Sequence, residues 1–255
     1  MKKIAVLTAL YGSEYSITEQ NVFENVDYHA FVSKDSNITS SSWVIHKIND
    51  HYKEGNFQNR LNAKIFKILP FNFLNEYEYF IWIDNNIQLN EDPNNLIEKY
   101  LNNFSLALVE HPKRICIYQE IKEASLNNLD LQKKLKKQFK HYKQSNYPKH
   151  NGLYDCSFIM TVNNDTTKEL RIHWWSEIEK FSSRDQISLP YILNKLGIEP
   201  YIITQKEIVE KLSTFLEIDI KNYDQKLIQI KGRNNGSETL FLNKLKQNLY
   251  NYLTN

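Results

Sequence analysis

The segment Tyr79-Phe80-Ile81-Trp82-Ile83 constrains the fold more than any other. Successive side chains of a strand point to opposite faces, so five consecutive apolar residues make both faces apolar. Such a strand belongs in the middle of a sheet covered on both sides. It breaks at once into Asp84-Asn85-Asn86, so this central strand ends in a polar loop. Ile4 to Ala9 has the same character and reads as the first strand.

Around these two, strand and helix signals alternate through the first two hundred residues, the pattern of an α/β domain with helices on both faces of its sheet. Tyr28–Val32, Trp43–Ile48, Phe104–Val109, Leu153–Val162 and Tyr201–Thr204 read as further strands. Leu61, Ile65, Ile68 and Leu69 recur at helical spacing and Pro70 closes that helix, which sets Arg60 and Lys64 one turn apart. Asp92-Pro93 supplies an N-cap with proline in the first turn for a helix through Leu101. Leu131 to Gln144 is amphipathic, with Leu131, Leu135, Phe139 and Tyr142 on one side and lysines on the other. Asp165 is expected to cap a helix carrying Trp174, Trp175 and Glu177, and Ser183 the next, with Gly197 at its C-terminal end. Residues 1–205 are assigned to the α/β domain and 206–255 to a C-terminal helical extension, with Leu240, Leu245 and Leu249 near one face, packed on the domain or on a partner.

With 255 residues, 41% of them hydrophobic, the chain can bury a substantial core. Its 32 basic and 30 acidic residues leave a net charge of +2, which provides no global field for nucleic acid. No run approaches the roughly 20 apolar residues of a membrane span, so the expectation is a cytoplasmic protein, at most peripheral on the inner face of a bacterial membrane. The two cysteines, Cys116 and Cys156, lack metal-ligand spacing and suit buried thiols in a reducing compartment. Only five arginines occur (Arg60, Arg114, Arg171, Arg184, Arg233), so each is a candidate for a planar, bidentate contact that lysine cannot make.

Ligands of open α/β sheets gather beyond the carboxyl ends of the strands, where Asp84-Asn85-Asn86 falls. Asp84 and Asn86, alternate residues of an extended loop, can reach one hard cation such as Mn²⁺ or Mg²⁺. The same residue types equally form an ordinary polar turn. Asp185 and Gln186 stand at a helix N-terminus, where free N–H groups favour an anion or a sugar hydroxyl, and where an acidic residue also simply complements the helix dipole. Trp174, with Glu177 one turn on and Asn151-Gly152 upstream, suits a saccharide, although two adjacent helical tryptophans cannot face the same way. No nucleophile elbow, Walker loop or dinucleotide-binding glycine motif occurs. Phosphates would have to be held by side chains.

Six ordered blocks carry a resemblance: Arg60-x3-Lys64, Tyr79 to Leu89, His111-Pro112-x-Arg114-x-Cys116-x-Tyr118-x-Glu120, Asn151-Gly152-Leu153, Trp174-Trp175-x-Glu177-Ile178 and Ser183 to Leu189. Together the chain resembles a glycosyltransferase domain family, long catalogued as a domain of unknown function, of bacterial polysaccharide loci and plant Golgi proteins of mucilage and pollen. The resemblance implies a GT-A-like, Rossmann-type sheet, mixed and mostly parallel, and a nucleoside-diphosphate sugar as donor. By the same resemblance Asp84 and Asn86 occupy the Asp-x-Asp position, with an amide in place of the second carboxylate. Thr8, Ala9 and Tyr11 would hold the base and ribose, Arg60 and Lys64 the diphosphate or donor sugar, and Asn85 lies in the same donor loop. Asp185 and Gln186 would orient the sugar, with Asp185 or Glu177 as general base if the enzyme inverts. His111, Arg114, Asn151, Gly152 and Trp174 are candidate contacts to a glycan or lipid-linked acceptor of a surface polysaccharide such as capsule or lipopolysaccharide. Two other readings stand beside this one, a sugar-nucleotide pyrophosphorylase and a non-catalytic carbohydrate-binding protein that uses the tryptophans.

Overall fold

The computed structural model of the chain describes residues 3–12 and 16–207. Seven strands form one sheet in the order β3-β2-β1-β4-β6-β5-β7. They are β1 (Ile4–Leu10), β2 (Val26–Ser33), β3 (Val44–Ile48), β4 (Tyr79–Ile83), β5 (Leu106–Glu110), β6 (Tyr154–Val162) and β7 (Tyr201–Ile203). All neighbours run parallel except where β6 is inserted antiparallel between β4 and β5. The sheet is therefore mixed and mostly parallel, consistent with the Rossmann-type GT-A arrangement expected.

Among the described residues the α-helices α1 (Gln58–Ile68), α2 (Pro93–Tyr100), α3 (Ile117–Leu126), α4 (Gln132–Gln144), α5 (Asp165–Lys180) and α6 (Asp185–Leu196) cover it. On one face Ala5, Leu7, Phe31, Phe80 and Trp82 pack against Phe66 of α1, Leu170 and Trp174 of α5 and Leu189 of α6. On the other, Ile4, Val6, Ala30, Ile81 and Ile83 pack against Leu96, Ile97 and Tyr100 of α2. β4 is thus buried on both faces, as its unbroken apolar run requires. A satellite core joins α3, α4 and α6 through Ile117, Ile121, Leu135, Tyr142 and Ile187.

Several local expectations are corrected. The cap of α5 is Asn164, whose Oδ1 accepts Thr167 N–H at 3.0 Å while Thr167 Oγ1 accepts Asn164 N–H at 3.3 Å, so Asp165 is already inside the helix. Helix α6 begins after Arg184 with no side-chain cap, because the Ser183 hydroxyl turns instead to Asp130. Helix α3, unread in the sequence, starts at Cys116, which supplies no capping side chain and so no start signal. On α4 the buried residues are Leu135, Gln138 and Tyr142, whereas Phe139 and Leu131 are exposed. Asp92 caps α2 as expected, accepting from Asn94 N–H at 2.9 Å. The extension assigned to 206–255 lies outside the described residues apart from Lys206 and Glu207.

Candidate functional site

Strand order reverses about β1: the chain crosses to β2 on one side and later returns to β4 on the other. The carboxyl ends of β1 and β4 therefore flank the crevice in which such sheets bind ligands. The register Leu7↔Trp82 places Asp84 two residues past the paired strands and level with Ala9. Helix α1 lies over this end and contributes two lysines, Lys64 and Lys67, three positions apart and therefore on one face.

Those lysines meet the first residue of α6. Lys64 Nζ lies 2.5 Å from Asp185 Oδ1 and Lys67 Nζ 2.8 Å from Asp185 Oδ2, all three side chains being at most 13% exposed. Lys67 Nζ also stands 3.8 Å from Asp84 Oδ1 and 5.4 Å from the centre of the Trp82 ring. Asp84 Oδ1 accepts the Trp82 indole N–H at 2.8 Å, so the ring that anchors β4 also fixes the carboxylate beyond it. The Asp84 side chain is 45% exposed, which makes it the solvent-facing end of the row Asp84, Lys67, Asp185, Lys64. Burial lowers the Lys64 amine, Asp185 offsets part of that and Lys67 adds to it, leaving its pKa at about 8. Burial opposes the charge on Lys67 too, but Asp185 and Asp84 outweigh it and raise its pKa. For Asp185 burial alone would raise the carboxyl, and the two ammonium groups hold it far below the ordinary carboxylate range. A carboxylate clamped in this way has little affinity for a proton, which suits an orienting group rather than a base.

A second ionic group surrounds the entry to α6. Glu120, fully buried on α3, receives Arg114 Nε at 2.8 Å and an Arg184 guanidinium nitrogen at 2.7 Å. Burial would raise its carboxyl, but Arg184 and Arg114 bring it below the ordinary value. Arg184 also donates to Gln186 Oε1 at 2.8 Å. Asp130 Oδ2 accepts both Ser183 N–H at 2.8 Å and the Ser183 hydroxyl at 2.6 Å. Arg60 donates to Leu129 O at 2.8 Å and to Ser183 Oγ at 3.1 Å. Arg60 and Lys64 thus hold the 183–185 turn from two sides rather than acting on one partner. Arg171 secures α1 from beneath, donating to Lys67 O and Ile68 O at 2.9 and 3.1 Å and so closing the helix that carries both lysines.

The other expected residues are placed less uniformly. Thr8 and Tyr11 are buried on β1 and just beyond it, and their hydroxyls have no hydrogen-bond partner among the described residues; Ala9 lies between them. Asn85 ties the loop to the 16–18 segment, donating to Ser16 O at 2.9 Å and accepting from Thr18 N–H at 3.4 Å. Asn86 is exposed. The His111 ring accepts Lys113 and Arg114 N–H at 3.1 Å each and so closes its own turn. Gly152 adopts φ +87°, and a Cβ there would meet Tyr154 Oη at 2.9 Å, which accounts for glycine on structural grounds. Asn151 beside it is exposed. Glu177 is buried among α4 and α5, accepting the Tyr142 hydroxyl at 2.9 Å, and makes no contact with the lysine cluster. Trp174 and Trp175 are 2% and 8% exposed, with the Trp174 indole donating to Ser188 Oγ at 3.1 Å. Neither leaves a ring face open to stack on a sugar. Trp174 instead supports the first turn of α6 from below.

Asp84 Oδ2 has no partner among the described residues, and no three His, Cys, Asp or Glu side chains there converge on one point. One free carboxylate oxygen beside an exposed amide fits a cation shared with a ligand's phosphates, the usual manner of Mg²⁺ binding, rather than an ion caged by protein alone. Sequence reasoning passed over Lys67 and Asp130, and placed Glu120 in a polar block without its buried pairing to Arg184. The (i, i+3) spacing of Lys64 and Lys67 was the one available signal; the two acids are recognisable only across contacts of 53 and 64 residues.

The family model for the TOD1/MUCI70 glycosyltransferase-like domain matches residues 15–222. A second model, described as RteC protein, matches residues 202–255. The chain is 25% identical over 167 residues to a protein of Arabidopsis thaliana named as probable hexosyltransferase MUCI70, an alignment covering 60% of this chain and 27% of the relative. The chain therefore spans about a quarter of that relative's length. Both the first family model and this relative support glycosyl transfer as the class of chemistry.

Proposed function

The chain belongs to the TOD1/MUCI70 glycosyltransferase-like domain family, and on that premise we propose that it transfers a hexosyl or related sugar from a nucleoside-diphosphate donor to a glycan or lipid-linked acceptor. The observation that carries the proposal is the row Asp84–Lys67–Asp185–Lys64, which opens to solvent at the carboxyl ends of β1 and β4. A departing diphosphate needs fixed positive charge that does not reorganise as the bond breaks. Lys64 and Lys67, locked by Asp185, provide it. Arg184, turned toward Gln186 at the helix start, provides more.

In this reading Thr8, Ala9 and Tyr11 line the nucleotide end, with the hydroxyls of Thr8 and Tyr11, unpartnered among the described residues, as candidate bonding groups. Asp84 faces the ribose or diphosphate, and Asp185 and Gln186 orient the sugar. A divalent cation, Mn²⁺ or Mg²⁺, would be held by Asp84 and Asn86 with the donor's phosphates and would neutralise the leaving group. Arg114, His111 and Asn151 border the acceptor side, where polysaccharide assembly in the cytoplasm is the proposed setting. Among the described residues no helix is long and apolar enough to cross a membrane.

The test is a panel of nucleotide sugars, measured for binding and for release of nucleoside diphosphate, with and without Mn²⁺. Binding of one donor, lost in Asp84→Ala, is expected. Failure to bind any nucleotide sugar under either condition would overturn the proposal.

A further inference from the structure

Between Leu131 and Tyr154 the chain has seven lysines and no aspartate or glutamate, although its overall charge is only +2. Most of this run is α4. Leu135, Gln138 and Tyr142 face the satellite core, so the remaining positions fan over the solvent side: Lys133, Lys136, Lys137, Lys140 and Lys143 are all exposed, and Lys149 follows just beyond. None of these lysines forms an ion pair among the described residues, whereas Lys64, Lys67 and Lys99 each reach a carboxylate. An isolated charged face is usually just solvated. Here the acid-free run gives one sign of charge over the whole helix, which concentrates the field.

The face also carries apolar surface where its lysines stand. Phe139 is 39% and Leu131 38% exposed, and Lys143 Nζ lies 5.0 Å and 6.0 Å from the centres of the Tyr118 and Phe139 rings. Exposed apolar side chains flanked by long, amphipathic lysines are the composition of a helix that lies in the headgroup layer of a bilayer. Phe139 packs edge-on against Tyr118 at 5.4 Å between ring centres, and a purely ionic polymer would leave its exposed part in water. Helix α4 begins two residues after Asp130, the residue that holds Ser183 at the candidate site, so this face and the site share an anchor.

We propose that the solvent face of α4 docks the chain on an anionic lipid surface, with Lys133, Lys136, Lys137, Lys140 and Lys143 on the headgroups and Phe139 at the acyl boundary. The inference concerns where the chain works and does not depend on which sugar it transfers.

Flotation of the full chain, without nucleotide, with vesicles of phosphatidylcholine alone or with about 30 mol% phosphatidylglycerol tests it. The chain should float only with the anionic vesicles, and less as salt rises from about 0.1 M to about 0.5 M. The triple variant Lys133→Gln, Lys136→Gln, Lys140→Gln should lower the partition coefficient roughly a hundredfold, at about fivefold per lysine. Phe139→Ser should weaken binding while leaving its salt dependence in place. The three lysines are exposed, so the triple variant's thermal transition should match the parent's. The proposal is overturned if the chain ignores anionic vesicles, if the triple variant floats like the parent, or if the chain retains only soluble polyanions such as DNA or polyphosphate.

Discussion

Replacing Asp185 by Asn removes the one buried negative charge between two buried ammonium groups. In the parent, Lys64 and Lys67 contact opposite oxygens of Asp185 at 2.5 and 2.8 Å. In the variant Lys67 keeps Asp84, half in solvent and 3.8 Å away, while Lys64 has no carboxylate partner among the described residues. Breaking a buried pair by removing one partner costs about 3–5 kcal/mol, because the survivor is left uncompensated. The cost should depend on pH, with a sign fixed by Lys64. Its folded pKa, about 8, lies below its unfolded value. The unfolded chain therefore binds more protons between those values, and stability rises with pH in that window. Without Asp185, the charged form of Lys64 loses its main support, so the folded variant sheds that proton at lower pH than the parent. Across the interval where only the variant has discharged Lys64, its deficit should shrink by about 1.4 kcal/mol per pH unit. The parent carboxylate, held far below the ordinary range, stays ionised in both states throughout and contributes no slope.

Denaturant unfolding followed by tryptophan fluorescence, at about pH 7 and again at about pH 9, would measure both effects. Asp185→Asn should be destabilised by about 3–5 kcal/mol at the lower pH and by distinctly less at the higher one. Adding Lys64→Met to Asp185→Asn should restore much of the loss at the lower pH. A deficit below about 1 kcal/mol, or one that does not change with pH, would refute the buried three-charge cluster as described.

Other consequences follow from the same geometry. Asp84→Ala should abolish donor turnover at little cost in stability, since the side chain is 45% exposed; circular dichroism with a turnover assay separates the two. Lys67→Met should lower kcat/KM by about a hundredfold or more if its charge stabilises the leaving group, a loss of about 2.7 kcal/mol in the transition state. Donor turnover should decline as pH rises through about 8, where Lys64 discharges, and Lys64→Arg should remove that limb of the profile. At low pH a separate group matters: burial and neighbouring His46 lower the His29 pKa to about 4, so stability is present above the unfolded histidine pKa and is lost as pH falls toward that value. The loss should reach as much as about 3 kcal/mol and be absent in His29→Gln.

The central strands were legible because burial on two faces leaves a short unbroken apolar run; β4 occupies Tyr79–Ile83 as read. Helix α3 was not, for want of a capping residue, and because the pairing of Arg114 with a fully buried Glu120 shows only in the fold. The sparse arginines were a better guide than their number suggested: Arg60, Arg114 and Arg184 all converge on the entry to α6, each as a planar donor to a carbonyl, carboxylate or amide oxygen. The aromatic signal misled for a physical reason. Tryptophan is favoured beside sugars and in cores by the same large apolar area, and only packing decides between them; here Trp174 is 2% exposed. The lysines invert that lesson, since composition alone reads all of them as solvated. Lys64 and Lys67 are held against the core because Asp185 meets them from a helix more than a hundred residues away, while the exposed lysines of α4 meet no carboxylate among the described residues. The same residue type therefore marks an internal charge cluster in one helix and an outward-facing field in another, and the difference lies wholly in where the carboxylates fall.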